Sequence, residues 1–500
     1  DANTTADNNT AVGDSALKDN TTGSQNTAVG CDALANNTTA GANTAVGRNS
    51  LRDNTTGSDN TAVGESSLRE NETGCCNSVL GENAMTLNTS GCYNTSIGSF
   101  SLHNNTTANN NTAVGYLALN ANTTGNSNTA VGVCSLDANT EGDGNSAVGR
   151  NALAKNTTAC YNVAVGYDSL FTNTTGHSNT AVGFNTMCVN TTGDCNVAIG
   201  KDALDSNTEG DCNTAIGTDA LQANTTADYN TAVGSKALFA NTTGHSNVAM
   251  GKGSLDANTE ANQNTAIGTD ALTTATTAGS NTAIGHDALC ATTTGGQNNA
   301  IGDGAMDANT TGCRNVAMGN GSMTKNTEGI CNTAIGHITL QCNLTGNCNT
   351  AVGVCALKTN TASDNTAVGA GALQKNTTAS NITAVGHNAL CDNTSGANNV
   401  AVGDSALANN TTGANNTSVG LSSMFTNISG SDNTAYGSQA LTTAQSPAGN
   451  TALGRQALCK TTTGDCNYAS GAFAGCANTT GHRNTYVGYG AGQNATTPEG

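Results

Sequence analysis

One glycine recurs through this chain at a spacing that leaves few folds open to it. Gly13 closes the segment Asn9-Thr10-Ala11-Val12-Gly13, and steps of 17 residues from it land on Gly30, Gly47, Gly64 and onward to Gly353. One residue is then lost, at Gly369, and the step of 17 resumes to Gly488, which makes 29 rungs with glycine at this place. The consensus is N-T-A-V-G-x-x-A-L-x-x-N-T-T-G-x-x, numbered here as rung positions 1 to 17, so that Asn9 is position 1 and Gly13 position 5. A strict repeat of this length means that each rung is one structural unit, which buries its apolar face only against its neighbours.

The columns differ in chemistry. Position 2 is Thr, Ser or Val with few exceptions, position 4 is mostly Val or Ile, and position 3 between them is mostly Ala. β-Branched residues favour strands, and period-2 alternation places positions 2 and 4 on one face and the alanine on the other. Thr exchanging with Val marks positions 2 and 4 as the inward face, with Val and the position-9 Leu as the main buried groups. Position 9 is Leu or Met in 27 of the 29 rungs, failing at Gly475 and Gly492, and position 8 is always Ala, Ser or Thr. One or two short strands per rung are therefore expected. A helix is excluded by the abundance of Gly, Asn, Thr and Val, all weak helix formers. The glycine at position 5 implies φ > 0 or close backbone approach at the turn ending the first strand. Asn at position 1, lost only at Ile382, is expected to stack as a hydrogen-bonded ladder, and N-T-T-G forms a second turn.

Composition supports this reading. Aromatic residues are 3% of the chain, Trp is absent, Pro occurs 2 times and charged residues are 10%. So few large apolar groups cannot form a conventional globular core, and the low charge and scarcity of Pro argue against ordinary disorder. The net charge of −19 lacks the Lys and Arg excess of a nucleic-acid surface. No apolar run is long enough to span a membrane as a helix. The expected fold is all-β, a single parallel β-solenoid (β-roll) of 29 rungs with a 17-residue repeat, continuous over residues 1–500. At about 4.8 Å per rung it would form a rod on the order of 140 Å. The chain enters and leaves mid-repeat, so a segment of a longer chain or filament is expected.

Asn196-Val197-Ala198-Ile199-Gly200 and Asn162-Val163-Ala164-Val165-Gly166 resemble the V-A-I-G repeats of YadA-type heads in trimeric autotransporter adhesins, and related phage and algal-virus fibre repeats. The resemblance spans essentially the whole chain on four or five positions per rung. It implies a left-handed parallel β-roll and association of three chains. The rung here is longer, by the N-T-T-G insertion, and the coiled-coil stalk and membrane anchor of that family are not in the sequence.

Position 12 opens an N-x-[ST] sequon in 19 rungs: Asn20, Asn37, Asn54, Asn71, Asn88, Asn105, Asn122, Asn156, Asn173, Asn190, Asn224, Asn241, Asn309, Asn343, Asn376, Asn393, Asn410, Asn427 and Asn478, with Asn3 before the first full rung. The middle residue varies (Glu72, Leu344, Ile428), and position 12 itself changes at Ala275, Thr292, Ala444 and Thr461 without loss of the rung. Both facts are expected of an exposed glycosylated turn rather than a structural ladder; the rival reading is a turn Asn chosen for its backbone geometry. The 19 cysteines favour positions 10, 16 and 17. Equivalent Cα atoms one rung apart fall inside the disulfide window, so Cys75 with Cys92, Cys195 with Cys212, Cys331 with Cys348, and Cys459 with Cys476 are candidate bridges. Same-rung pairs such as Cys188 with Cys195 compete. No recurrent spacing suits zinc, and His, Ser and carboxylates form no repeated catalytic pattern; no cofactor is expected.

These readings point to a non-enzymatic, mechanical protein: an extracellular glycosylated fibre, hair or tail-fibre shaft that self-associates end to end and laterally, carrying covalent glycans. The alternatives are an adhesin or viral receptor-binding fibre, which scarce aromatics disfavour, and an ice-binding solenoid, disfavoured if the position-2 Thr column points inward. Small residues at positions 3 and 8 leave two accounts of those strips. One is a very thin roll in which they meet inside; the other is a lateral interface with further copies.

Overall fold

The computed structural model describes residues 4–497. It comprises two units, Asp1–Asn247 and Val248–Gly500. The first carries fourteen three-residue strands, from Thr10–Val12 to Thr231–Val233, and the second fifteen, from Val248–Met250 to Thr485–Val487. Within each unit a strand pairs in parallel with the strand one rung on, position for position. Thr27, Ala28 and Val29 face Thr44, Ala45 and Val46 in the first unit, and Thr265, Ala266 and Ile267 face Thr282, Ala283 and Ile284 in the second. No helix occurs among the described residues. The fold is an all-β parallel solenoid with one strand per rung. The remainder of each rung is turn, yet its backbone still bonds along the stack: Leu34 N–H to Ser50 O at 3.0 Å, Asn36 N–H to Arg52 O at 2.9 Å, and Thr38 N–H to Thr55 O at 3.2 Å.

The alternation of the strand is as the sequence requires, but its sign is reversed. Position 3 points inward: Ala28, Ala45, Ala198 and Ala317 are fully buried. Position 4 points outward, with Ile199 and Met318 each 40% exposed, and position 2 is half-buried on the same outer face. The reason is the width of the interior. Positions 3 and 8 meet across it, as the rungs with serine at both places show: Ser96 Oγ lies 2.6 Å from Ser101 Oγ, and Ser418 pairs with Ser423. With one small side chain packed on another the interior takes alanine or serine at position 3 in nearly every rung, buried Val79 being the one aliphatic exception. Leu at position 9 is the one large group each rung buries, as at Leu34, Leu136 and Leu255. Of the two accounts of the small-residue strips, the thin roll is the one the structure bears out. The strips are internal, so they are no lateral interface.

Backbone geometry explains the fixed columns. Gly13 has φ 137°, and a Cβ there would lie 2.4 Å from the carbonyl oxygen of Gly30 in the next rung. No other residue fits a site where stacked turns come this close. Positions 7, 9 and 17 are left-handed with ordinary side chains, for example Asp32 (φ 56°), Leu34 (φ 52°) and Ala42 (φ 57°). Such residues each cost roughly 1–2 kcal/mol relative to the right-handed helical conformation. The position-9 leucines accept this because no other place in the rung presents a large side chain to the interior. Where position 9 is glycine, another residue fills the gap: a Cβ at Gly475 or Gly492 would strike the Tyr486 ring, at 2.6 and 2.3 Å. Tyr486 thus stands at position 3, where alanine is usual, and occupies the space of two missing leucines.

The loss of one residue before Gly369 is absorbed in the N-T-T-G turn. Asn360 Nδ2 donates to Ala362 O at 2.7 Å, two residues on rather than three. Strand register across the deletion is kept, with Thr350 opposite Thr366.

The two faces of one strand give a direct test. Ala130→Glu, which puts an unpaired carboxylate into the interior, is expected to abolish the β-sheet circular-dichroism signal of the surrounding rungs. Val131→Glu, one residue on and outward, is expected to leave it intact. Equal tolerance of both would contradict the assignment of faces.

Candidate functional site: internal ladders and the outer strand face

The interior polar groups form two asparagine ladders. At position 1, Asn26 Nδ2 donates to Ala40 O at 2.9 Å across its own rung, while Asn26 Oδ1 accepts the backbone N–H of Asn43 at 3.0 Å. This is the ladder expected from the sequence. Ile382, the exception, is buried without a side-chain acceptor, and Asn399 there turns its Nδ2 to Gly396 O at 3.0 Å.

Position 12 forms a second ladder, contrary to its expected exposure. Asn37 Nδ2 donates to Asn20 Oδ1 at 2.8 Å and to Ala40 O at 3.0 Å; Asn54 repeats the pattern on Asn37 and Gly57. All nineteen candidate glycosylation sites from Asn20 to Asn478 are buried, Asn20 being the most open at 2%; Asn3 lies outside the described residues. In the repeating pattern both Nδ2 hydrogens are engaged, and an N-linked glycan would replace one of them inside the roll. The sequon arises because an inward asparagine is followed by threonines that serve the turn. The position-13 threonine donates along the stack, Thr21 Oγ1 to Thr38 O at 2.8 Å. Variation at Ala275 and Ala444 reflects a tolerated gap in the ladder rather than exposure. The gap has a consequence, for Asn427 Oδ1, next to Ala444, is buried with no partner.

A third ladder escaped the sequence reading. At position 16 a short acceptor side chain receives the backbone N–H of the position-16 residue one rung before. Gly41 N–H donates to Ser58 Oγ at 3.3 Å, Cys92 to Asn109 Oδ1 at 2.7 Å, Asp143 to Cys160 Sγ at 3.3 Å, and Cys160 to His177 Nδ1 at 2.9 Å. Asp194 and Asp211 continue it. The available signal was chemical type: Ser, Asn, Asp, His and Cys recur in this column and share the ability to accept, although Gly41, Ile330, Ala414 and others interrupt it. Cys75 and Cys92 belong to this column. Cys195, Cys212, Cys331 and Cys348 stand exposed at position 17, and Cys459 and Cys476 are half-buried at position 10. Burial pushes the thiols of Cys188 and Cys459 up to about 11.

The outer face of the strands is the other extended feature. Thr, Val or Ser at position 2 and Val, Ile or Met at position 4 form two parallel columns with no charged residue in either. Rungs lie about 4.8 Å apart and the two columns about 6.6 Å apart, from strand spacing and rise. A shallow groove brings Asp228, Tyr229, His245 and Ser246 together, but Asp228 Oδ1 already accepts the Asp211 N–H as a rung of the position-16 ladder. Among the described residues no group of three or more His, Cys, Asp or Glu is placed to hold a metal ion, and no helix is long and apolar enough to cross a membrane. Comparison with known protein families found no matching family model, and comparison with curated proteins found no match.

Two substitutions test the second ladder. Ala444→Asn supplies the missing donor to Asn427 Oδ1 and is expected to stabilise the second unit by about 1 kcal/mol in denaturant unfolding. Asn122→Ala removes a donor to Asn105 and an acceptor for Asn139, and is expected to destabilise the first by about 1–3 kcal/mol. For folded protein made in a secretory host, peptide-N-glycosidase is expected to leave the mass unchanged.

Proposed function

We propose that this chain is a structural component of an extracellular fibre, mechanical rather than catalytic, whose copies associate end to end and laterally through the outer Thr/Val strand face. The observation that carries the reading is the ladder system. Backbone pairing ties each rung to the next, and in most rungs two internal asparagine columns and an outer acceptor column add to it, so load along the stack is shared among several hydrogen bonds. The rung is otherwise invariant in design, as a repeated load-bearing element requires. The resemblance to YadA-type heads and viral fibre repeats supports the same reading. The lateral surface proposed is the position-2 and position-4 face, because it is flat, uncharged and aliphatic.

The test is electron microscopy with sedimentation of the native protein at micromolar concentration. Filaments or laterally paired particles are expected, and Val131→Glu with Val148→Glu is expected to disperse them while the β-sheet signal persists. Particles that remain single in the unsubstituted protein would overturn the reading.

The outward Thr column also favours a second reading, ice binding, because the premise that set it aside was an inward threonine. A flat array of hydroxyl and methyl groups repeating in two dimensions can order water into a lattice. Thermal hysteresis of the purified protein, lost in Thr129→Lys with Thr180→Lys, is expected on that reading; its absence in the unsubstituted protein eliminates it.

A further inference from the structure

We propose that Cys75 and Cys92 are a built redox site that closes an inter-rung disulfide by exchange with a small-molecule disulfide. The two residues occupy position 16 of successive rungs, where the side chain is turned back along the stack to accept a backbone N–H. Cys92 obeys that rule: the Cys75 N–H donates to Cys92 Sγ at 3.0 Å. The same orientation lays one sulfur on the other, with Cys75 Sγ 3.0 Å from Cys92 Sγ. A bond requires the sulfurs to approach to about 2.05 Å, and the rung spacing of about 4.8 Å lies within the Cα window of a disulfide. The site therefore needs a side-chain rotation of small extent and no change of backbone register.

The thiols of Cys212 with Cys195 and of Cys459 with Cys476 also interact, but in those pairs neither sulfur is held by a backbone N–H of its partner. Cys195 with Cys212 and Cys331 with Cys348 stand at position 17, exposed and on left-handed backbone, a place not engaged by the acceptor ladder. Cys459 Sγ is directed at the Cys476 carbonyl oxygen, 3.5 Å away. Cys160, in the same column as Cys75 and Cys92, shows what one cysteine does there alone: it accepts the Asp143 N–H at 3.3 Å. Hydrogen bonding to Cys92 pushes the Cys75 thiol up to about 12, which makes its thiolate scarce and the exchange correspondingly slow.

The chemistry balances with a disulfide such as oxidised glutathione as the oxidant. One protein thiolate attacks a sulfur of the small disulfide and releases one thiol. The neighbouring protein thiolate then attacks the protein sulfur of the mixed disulfide and releases the second thiol. Two protein S–H groups are lost, one S–S bond forms, and the small disulfide is reduced to two thiols that carry the protons away. The product is a covalent clip between rungs otherwise held by hydrogen bonds and side-chain packing. This inference does not rest on the fibre reading.

The experiment uses the full chain, reduced, then incubated with oxidised glutathione, alkylated and mapped by mass spectrometry. A Cys75–Cys92 cross-linked peptide two hydrogens lighter than the reduced pair is expected. Amide hydrogen exchange over residues 60–93 is expected to slow several-fold, and reductant is expected to reverse both changes. Cys92→Ser keeps an acceptor that this column uses at Ser24 and Ser58, so the rung is expected to fold with unchanged β-sheet signal and show neither change. Full alkylation of both cysteines after oxidation would overturn the proposal, as would a Cys75–Cys76 link or a persistent glutathione adduct.

Discussion

The structure depends on an interior only two small side chains wide. Alanine at position 3 lies against alanine or serine at position 8, and everything else in the rung follows from that contact. A cross-section this narrow takes, in nearly every rung, a single large apolar group, the position-9 leucine or methionine, and even that is reached only by holding its backbone in the left-handed region. The scarcity of aromatics follows from the same constraint. Tyr486, the one large ring placed inward at position 3, fits because Gly475 and Gly492 vacate two leucine sites.

A thin core cannot drive folding by apolar burial alone, and asparagine is what completes it. Turn backbones folded around so narrow a space present carbonyls inward, and a buried carbonyl without a donor is costly. The position-15 carbonyl accepts from both ladders: Gly57 O receives Asn43 Nδ2 and Asn54 Nδ2. Each asparagine satisfies its own rung and also reaches the next, so local turn chemistry and stacking are served by one side chain. The same economy reappears outside at position 16, where the identity of the acceptor is free. That freedom admits sulfur, and two successive cysteines convert an acceptor column into a candidate redox site.

With the alanines inside, the aliphatic surface that a globular protein would hide is displayed. Its regularity is inherited from the repeat, since an outward column copies the inward one at the same spacing. A surface of this kind suits association with matching copies or ordered water better than recognition of one small molecule, which calls for a concave site with converging polar groups. The acidic and basic residues are kept to the turn columns, at positions 6, 7, 10 and 11, at positions 13 and 14 (Glu72, Glu141, Glu209, Glu260 and Glu328) and at positions 16 and 17.

The sequence by itself determined the repeat, the parallel in-register stacking, the turn glycine, the position-1 ladder and the absence of helix. All of these follow from period and from backbone preferences that act within one rung or between identical neighbours. Which face of the strand looks inward was decided only in the tertiary structure. Alternation along Thr10-Ala11-Val12 states that alanine opposes threonine and valine, not which side is enclosed, and the usual preference for burying the larger group gives the wrong answer in a roll whose inward strand position is filled by a small side chain in nearly every rung. Position 12 was misread for a related reason. A sequon and a buried ladder are the same three letters, and only closure of the rung shows that both hydrogens of Asn37 Nδ2 are already bound. The sulfur contact of Cys75 with Cys92 likewise needed the fold, because a shared column fixes the distance between backbones, while the direction of a side chain is set by the hydrogen bond it makes.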